Sequence, residues 1–264
     1  MRIGFIGLGN MAYAIIKSVL SSGLLHPKDI VGFDTYPTAS EAVRKAAGIT
    51  ICDSTEEVLR ADTVILAVKP QVLPALLPEI AGPRLEGRLI VSIAAGTPIA
   101  LLREYLGDSV AIARVMPNIN AKVGAATSAY TAPGASAEQR KTVEDIFSAA
   151  GTVTELPENL FPVFMAVASA SPAFTYMYID SLAKAAVRGG IPRQQALAIA
   201  ASSVLGSARM ILEGGEHPMA LVDQVCSPGG TTIQGVCALQ EKGFEHAVHA
   251  AVEATVMKDK LMNA

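Results

Sequence analysis

The sequence predicts an α/β domain built on a mainly parallel sheet, followed by an all-α domain that dimerises. Three observations carry this expectation. Short apolar runs alternate with helical patterns from Ile3 to about Glu155. After Pro157 the periodicity is helical throughout. In that second half, Ala196-Leu197-Ala198-Ile199-Ala200-Ala201 is apolar nearly all round. A helix of this kind must be enclosed, and a domain of about a hundred residues can hardly enclose two long helices by itself. A two-fold oligomer of this chain is the simplest cover. The expected division is 1–157 and 158–264.

Composition narrows the class. The chain has 264 residues and a net charge of -3, and no basic run appears, so nothing points to nucleic acid. Hydrophobic residues make up 51%, aromatic residues only 5%, and Trp is absent, so the core is built from Ala, Val, Leu and Ile. That suits strands buried on both faces and tightly packed helices. Cys52, Cys226 and Cys237 form no ligand-spaced cluster, and His246 and His249 lack an evident third ligand, so no metal site is expected. Met1-Arg2 runs straight into a strand, which does not suit a secretory signal. With an odd number of cysteines, this predicts reduced thiols and a cytoplasmic setting. Asn159 to Ile179 carries no formal charge and is long enough to span a bilayer, but Pro162 and Pro172 interrupt it. The expectation is a helix buried within protein, not a membrane span.

The elements follow in order. Residues 2–6 form an apolar run without alternation, as in a strand covered on both faces. Gly7-Leu8-Gly9-Asn10-Met11-Ala12 comes next, and then a helix with Met11, Ile15, Ile16, Val19 and Leu20 on one face and Gly23 at its end. Strand, GxGxxA and helix form the dinucleotide fingerprint of a Rossmann-type domain. Gly7 serves the tight turn, Gly9 the approach of a pyrophosphate, and Ala12 the close helix–strand packing. The second strand, Ile30–Phe33, ends at Asp34. A carboxylate there accepts from ribose hydroxyls and repels a 2′-phosphate, and no Arg follows within the next four residues. The reading is therefore NADH or NADPH, with a lean to NADH. The same Asp34 also suits a turn cap.

Ser54 and Glu57 are spaced as a capping box. Thr63–Val68 is a buried strand that stops at Lys69-Pro70, and Leu89–Ile93 is another, followed by Ala94-Ala95-Gly96. Thr97-Pro98 opens a helix that Gly107 stops. Val110–Val115 is a strand with Met116-Pro117-Asn118 at its end. Ligands of open α/β sheets bind beyond the carboxyl ends of the strands. Ala67, Val68, Lys69, Pro70, Ala94, Ala95, Gly96, Met116, Pro117 and Asn118 are thus placed along a cofactor's path. Strands near Ala126–Tyr130 and Gly151–Glu155, around a helix after Ser136, complete the first half. In the second half, helices are expected from about Pro172 to Val187 and from about Pro192 to Glu213, each stopped by a Gly pair. His217-Pro218 reads as a turn between helices.

The stretch Asp223 to Gly235 reads as a loop opening a helix, with Ser227 as N-cap and Pro228 at the first helical position. Gly229 and Gly230 leave backbone amides bare, and Thr231 and Thr232 add hydroxyls. Such a terminus suits a carboxylate or a phosphate, and it equally suits a capped helix start.

Ile6-Gly7-Leu8-Gly9-Asn10-Met11, Ala67-Val68-Lys69-Pro70, Val91-Ser92-Ile93-Ala94-Ala95-Gly96, Arg114-Val115-Met116-Pro117-Asn118 and, above all, Asp223 to Gln234 resemble the pyrroline-5-carboxylate reductase family over essentially the full length. The resemblance implies NAD(P)H-dependent reduction of a cyclic imine acid to L-proline. It also implies a helical C-terminal domain that dimerises, often into larger rings. It assigns the substrate carboxylate to the amides around Ser227, Gly229, Gly230, Thr231 and Thr232, gives the Thr232 hydroxyl to the ring nitrogen as the catalytic contact, and places Ser171 in the substrate pocket. Two departures stand out. Ala168-Ser169-Ala170 replaces the family's Ser-Gly-Ser, and Ile119-Asn120 replaces its Thr-Pro. They leave open another cyclic imine as substrate, or a dinucleotide-binding regulatory paralogue. The similarly built β-hydroxyacid dehydrogenases look for a helical Lys with an Asn one turn later; here Lys184 is followed by Arg188, so Lys184 reads as a solvated or interface residue.

Overall fold

The structure is a computed structural model and describes residues 1–82 and 85–262. In the first half, strands and helices alternate: β1 (Ile3–Ile6), α1 (Asn10–Ser21), β2 (Ile30–Phe33), α2 (Pro37–Ala47), β3 (Thr50–Ile51), α3 (Thr55–Val58), β4 (Thr63–Leu66), α4 (Leu73–Ile80), β5 (Leu89–Ser92), α5 (Ile99–Leu106), β6 (Ala111–Met116), β7 (Ala126–Thr131), α6 (Ala137–Ser148) and β8 (Gly151–Glu155). The eight strands form one sheet in the order β3-β2-β1-β4-β5-β6-β7-β8. All neighbours are parallel except β6 and β7. The strand order reverses between β1 and β4, the switch point at which such sheets bind ligands.

Side-chain alternation divides the core in two. Ile3, Phe5, Ile65, Leu89, Val91, Ala113 and Val115 pack on one face against Ile15, Ile16 and Val19 of α1 and against Val143, Ile146 and Phe147 of α6. Ile6, Val64, Leu66, Ile90 and Ile112 pack on the other against Val58, Leu73, Leu77, Ile80 and Leu102. Each such side chain taken out of water contributes about 1.5–3 kcal/mol, enough to fix strand register and helix placement together.

The second half is helical: α7 (Phe161–Phe164), a π-helical stretch over Met165–Ala170, α8 (Ser171–Arg188), α9 (Arg193–Gly214), α10 (Pro218–Val225), α11 (Thr231–Glu241) and α12 (Phe244–Met262). By contacts, the chain separates into two compact units, one holding the sheet and the chain up to Ser169, the other running from Ala170 to Met257. Within the second unit, α8 and α9 form a hairpin packed through Ala183, Ala196 and Ala200, and Tyr178 lies 6.1 Å from Phe244.

The expectation that Asn159 to Ile179 is buried is not met within the chain. Among the described residues, two helical stretches, Glu158–Arg188 and Arg193–Gly214, are long and apolar enough to cross a membrane, and only 22% and 11% of their most apolar windows are buried. Ile199 is 57% exposed, Leu205 63% and Leu212 80%. Apolar sequence demands cover, but the second unit has no sheet to lay across these faces.

Candidate active site

The loop after β1 is built for a close approach. Gly7 takes φ +94°, and a Cβ there would meet the Ala67 carbonyl oxygen at 2.7 Å. Its N–H donates to Phe33 O at 2.8 Å. Gly9 is the N-cap of α1 with no side-chain cap, and a Cβ on it would meet nothing within 4 Å. The amides of Asn10, Met11 and Ala12 therefore begin a 12-residue helix at an open position, with no acidic side chain within its first turn. The Met11 side chain is partly buried and packs with Ala14, Ala121 and Ala126.

Asp34 is held by two backbone donors. Its Oδ2 accepts from Leu8 N–H at 2.7 Å and its Oδ1 from Tyr36 N–H at 2.9 Å. The carboxylate thus ties the end of β2 to the glycine loop, and each oxygen keeps a lone pair for a further donor. Across the switch point, Ala67 N–H donates to Ile6 O, and Val68, Lys69 and Pro70 follow at the end of β4, with Lys69 exposed. Ala94, Ala95 and Gly96 follow β5; Ala94 is buried and Ala95 exposed. The structure thus brings the loops after β1, β2, β4 and β5 to one edge of the sheet.

The end of β6 is different in kind. Met116 and Asn118 are buried and Pro117 is half-buried. Arg114 is a buried cation in an otherwise apolar strand. Its Nη1 donates to Glu158 Oε1 at 2.8 Å, and its guanidinium lies 4.8 Å from the Phe161 ring centroid. The same Glu158 oxygen accepts from Ile99 N–H, the first amide of α5. Asn118 donates through Nδ2 to Ala168 O at 2.8 Å and accepts through Oδ1 from Thr127 N–H at 3.1 Å. The contacts of Arg114 and Asn118 were not foreseen from sequence. A charge inside an apolar strand was the available signal.

The Asp223 to Gly235 stretch folds differently from its expected capping. Ser227 is not the N-cap, and Pro228 is not the first helical residue. Gly230 N–H donates to Ser227 O at 3.0 Å, closing a turn in which Gly229 takes φ +69°. Pro followed by a positive-φ Gly is the pattern of a type II turn, and it halts any helix begun at Pro228. α11 starts at Thr231 with Gly230 as N-cap and no side-chain cap. A Cβ on Gly230 would meet Ser227 Oγ at 2.4 Å and Ser227 O at 3.1 Å, so a larger residue there would force the serine hydroxyl to turn away. Thr231 and Thr232 are the first two helical residues, both exposed. Ser171 opens α8. Lys184 pairs with Asp180 at 2.7 Å, and His217 caps α10 by accepting from Met219 N–H. Among the described residues, no group of three or more His, Cys, Asp or Glu side chains is placed to hold a metal. Burial, followed by the negative charge of Glu57, pushes the Cys52 thiol up, away from the reactive thiolate.

Known proteins resemble this chain over nearly its full length. The family described as "Pyrroline-5-carboxylate reductase dimerisation" matches residues 158–262, and "NADP oxidoreductase coenzyme F420-dependent" matches residues 2–96. The chain is 41% identical to "Pyrroline-5-carboxylate reductase" of Escherichia coli K12, covering 99% of this chain and 98% of that protein. It is 39% identical to the protein of the same name from Methanosarcina acetivorans, over 95% and 94%. A solved pyrroline-5-carboxylate reductase from Coxiella burnetii superposes with a TM-score of 0.93 at 28% identity, covering 100% and 98%. A Plasmodium falciparum pyrroline carboxylate reductase with NADP bound gives 0.88 at 29%, with the same coverage. On the near-complete match to the bacterial relative and the agreement of both halves, the chain belongs to the pyrroline-5-carboxylate reductase family.

Proposed function

We propose that this protein reduces 1-pyrroline-5-carboxylate to L-proline with a nicotinamide dinucleotide as hydride donor. One observation carries the reading beyond family membership. Among the described residues, α1 and α11 each start at a terminus without a side-chain cap that is entered through glycine, at Gly9–Asn10 and Gly230–Thr231. The reaction has two anionic partners, a pyrophosphate and a substrate carboxylate, and each terminus suits one of them.

When bound, the dinucleotide supplies the hydride. The chain's own part is to hold and orient. Gly7, Gly9, Asn10 and Met11 offer backbone to the pyrophosphate. Asp34 offers its remaining lone pairs to the adenosine ribose. Ala67–Pro70, Ala94–Gly96 and Met116–Asn118 border the rest of the path. Ser227 and Gly229–Thr232 take the substrate carboxylate, the Thr232 hydroxyl meets the ring nitrogen, and Ser171 lines the pocket. A protonated imine is already electrophilic, so positioning does most of the work and no strong general acid is required.

We favour NADH over NADPH. Two backbone amides fix the Asp34 carboxylate in place, and its charge opposes a 2′-phosphate. The ratio of kcat/KM for the two cofactors checks this; a strong NADPH preference would overturn it. The working species is a homodimer or a ring of dimers, with the apolar faces of α8 and α9 covered by a second copy. The functional division is 1–157 and 158–264, and the setting is the cytoplasm, with Cys52, Cys226 and Cys237 unpaired. The deciding assay is dinucleotide oxidation with 1-pyrroline-5-carboxylate and chromatographic detection of L-proline. Turnover with other cyclic imines only would point to a broader imine reductase. Dinucleotide binding without any turnover would point to a regulatory paralogue.

A further inference from the structure

Arg114, Met116 and Asn118 alternate along β6 and its extended continuation, so their side chains leave the same face. Each grips the segment that leads out of the sheet. Arg114 holds Glu158, Met116 packs with Phe161, and Asn118 holds the carbonyl of Ala168. The last contact has a cause in the sequence. In a regular α-helix the Ala168 carbonyl would accept from the amide of residue 172, but residue 172 is proline. Proline has no N–H, and its ring crowds the carbonyl four residues back. Here the helix widens to π geometry over Met165–Ala170, residue 172 cannot serve the Ala168 carbonyl, and Asn118 Nδ2 donates to it. Thr127 N–H occupies the Asn118 oxygen and fixes which way the amide points. With its oxygen and its nitrogen both committed to backbone, this buried side chain acts as a strut between β7 and the π turn.

The turn's location gives the strut a purpose. Asn118 stands just past the carboxyl end of β6, on the edge where α/β sheets bind ligands. The turn also carries Ser169, whose buried Oγ has no hydrogen-bond partner. π turns are frequent at functional sites, and a buried hydroxyl without a partner calls for an explanation. We propose that Asn118 is a positioning residue for the reduction, acting through the Ala168 carbonyl to hold the Met165–Ala170 turn at this edge of the sheet. The inference rests on the reductase reading above and refines it, because the Asn118 side chain serves the turn and not the dinucleotide.

The test is Asn118→Asp, nearly isosteric, which keeps an acceptor for Thr127 but sets a carboxylate against the Ala168 carbonyl. Steady-state kinetics with 1-pyrroline-5-carboxylate are compared with the dinucleotide Kd from fluorescence titration and with amide exchange across residues 161–172. The expected result is a loss in kcat/KM of about tenfold or more, carried mainly by kcat, with Kd within about twofold and faster exchange in the turn. Asn118→Ser, too short to span the gap, gives the same split and stands in if the aspartate variant fails to fold. In the Asn118→Ser background, Pro172→Ala supplies an amide to Ala168; exchange protection returns, but activity does not, because the π register is lost. A Kd that weakens in step with kcat/KM would make Asn118 a cofactor ligand and overturn the proposal. So would an unchanged kcat/KM with altered exchange alone, the mark of a plain brace. Failure of the reductase reading is seen separately, as wild-type protein that turns over no cyclic imine.

Discussion

The sheet-based unit and the helical unit solve the burial problem in opposite ways. In the first, both faces of the sheet are covered by the chain's own helices, and Phe5, Ile15, Ile65, Leu66 and Phe147 are fully enclosed. In the second, among the described residues from 170 to 257, only Pro172, Ala183, Ala196 and Ala200 are buried. Three of these four are alanines, so that unit's own core holds almost no large side chain. The hydrophobic material is present, but it lies outside, on Ile199, Leu205, Met210 and Leu212. Exposed apolar faces of this extent mark an interaction surface, whereas the first unit encloses its own core.

The largest effect is expected from charging that exposed face. Ile199→Asp with Leu205→Asp should convert the proposed dimer to monomer and remove turnover, while the first unit still binds dinucleotide. Sedimentation together with fluorescence titration reads both; a double variant that stays dimeric and active would break the contrast between the units. Next is Thr232→Ala in the helical unit. It should lower kcat/KM by about 1–3 kcal/mol of transition-state stabilisation, the size of one or two lost hydrogen bonds, without abolishing catalysis. An unchanged rate would remove Thr232 from the site.

A smaller effect belongs to the sheet unit. Tyr130 O–H reaches Glu144 Oε1 at 2.7 Å and lies 3.3 Å from Glu155 Oε2, joining β7, α6 and β8. Burial, reinforced by Glu144, pushes its phenol well above the ordinary tyrosine value, so it stays a neutral donor. Tyr130→Phe should cost about 1 kcal/mol in denaturant unfolding, with little change in dimerisation. The smallest effect concerns Asp180, which pairs with Lys184 and Arg193 across the α8–α9 hairpin. The hydrogen bond from Lys184, then that from Arg193, hold its carboxyl below the usual range. Its contribution is therefore present above the unfolded-state value and lost as pH falls through the lower folded-state value. Asp180→Asn should remove that acid-side slope and leave neutral-pH stability nearly unchanged, because both partners are exposed.

Much of this was legible in the residues. Short apolar runs ending at glycine or proline located β1, β4 and β5, since a strand covered on both faces leaves no polar position inside it. The fingerprint at Gly7–Ala12 placed the switch point. Capping at Ser227 was misread because the N-cap preference of serine is local. The positive φ of Gly229 and the Ser227–Gly230 turn override it and move the helix start to Thr231. Burial of Asn159 to Ile179 was misread because hydropathy reports the need for cover and not which chain supplies it. The antiparallel pairing of β6 with β7 leaves no trace in periodicity. The role of Asn118 was hidden because its partner carbonyl lies fifty residues away, although Pro172 announces that Ala168 cannot accept from residue 172.

The most direct measurement of the central claim uses reduced dinucleotide deuterated at the transferring position of the nicotinamide, incubated with 1-pyrroline-5-carboxylate and the enzyme. The account predicts L-proline carrying the deuterium on the carbon of the former C=N bond, because hydride passes straight between two held reactants. Proline without the label, or label lost to water with no proline formed, would contradict it.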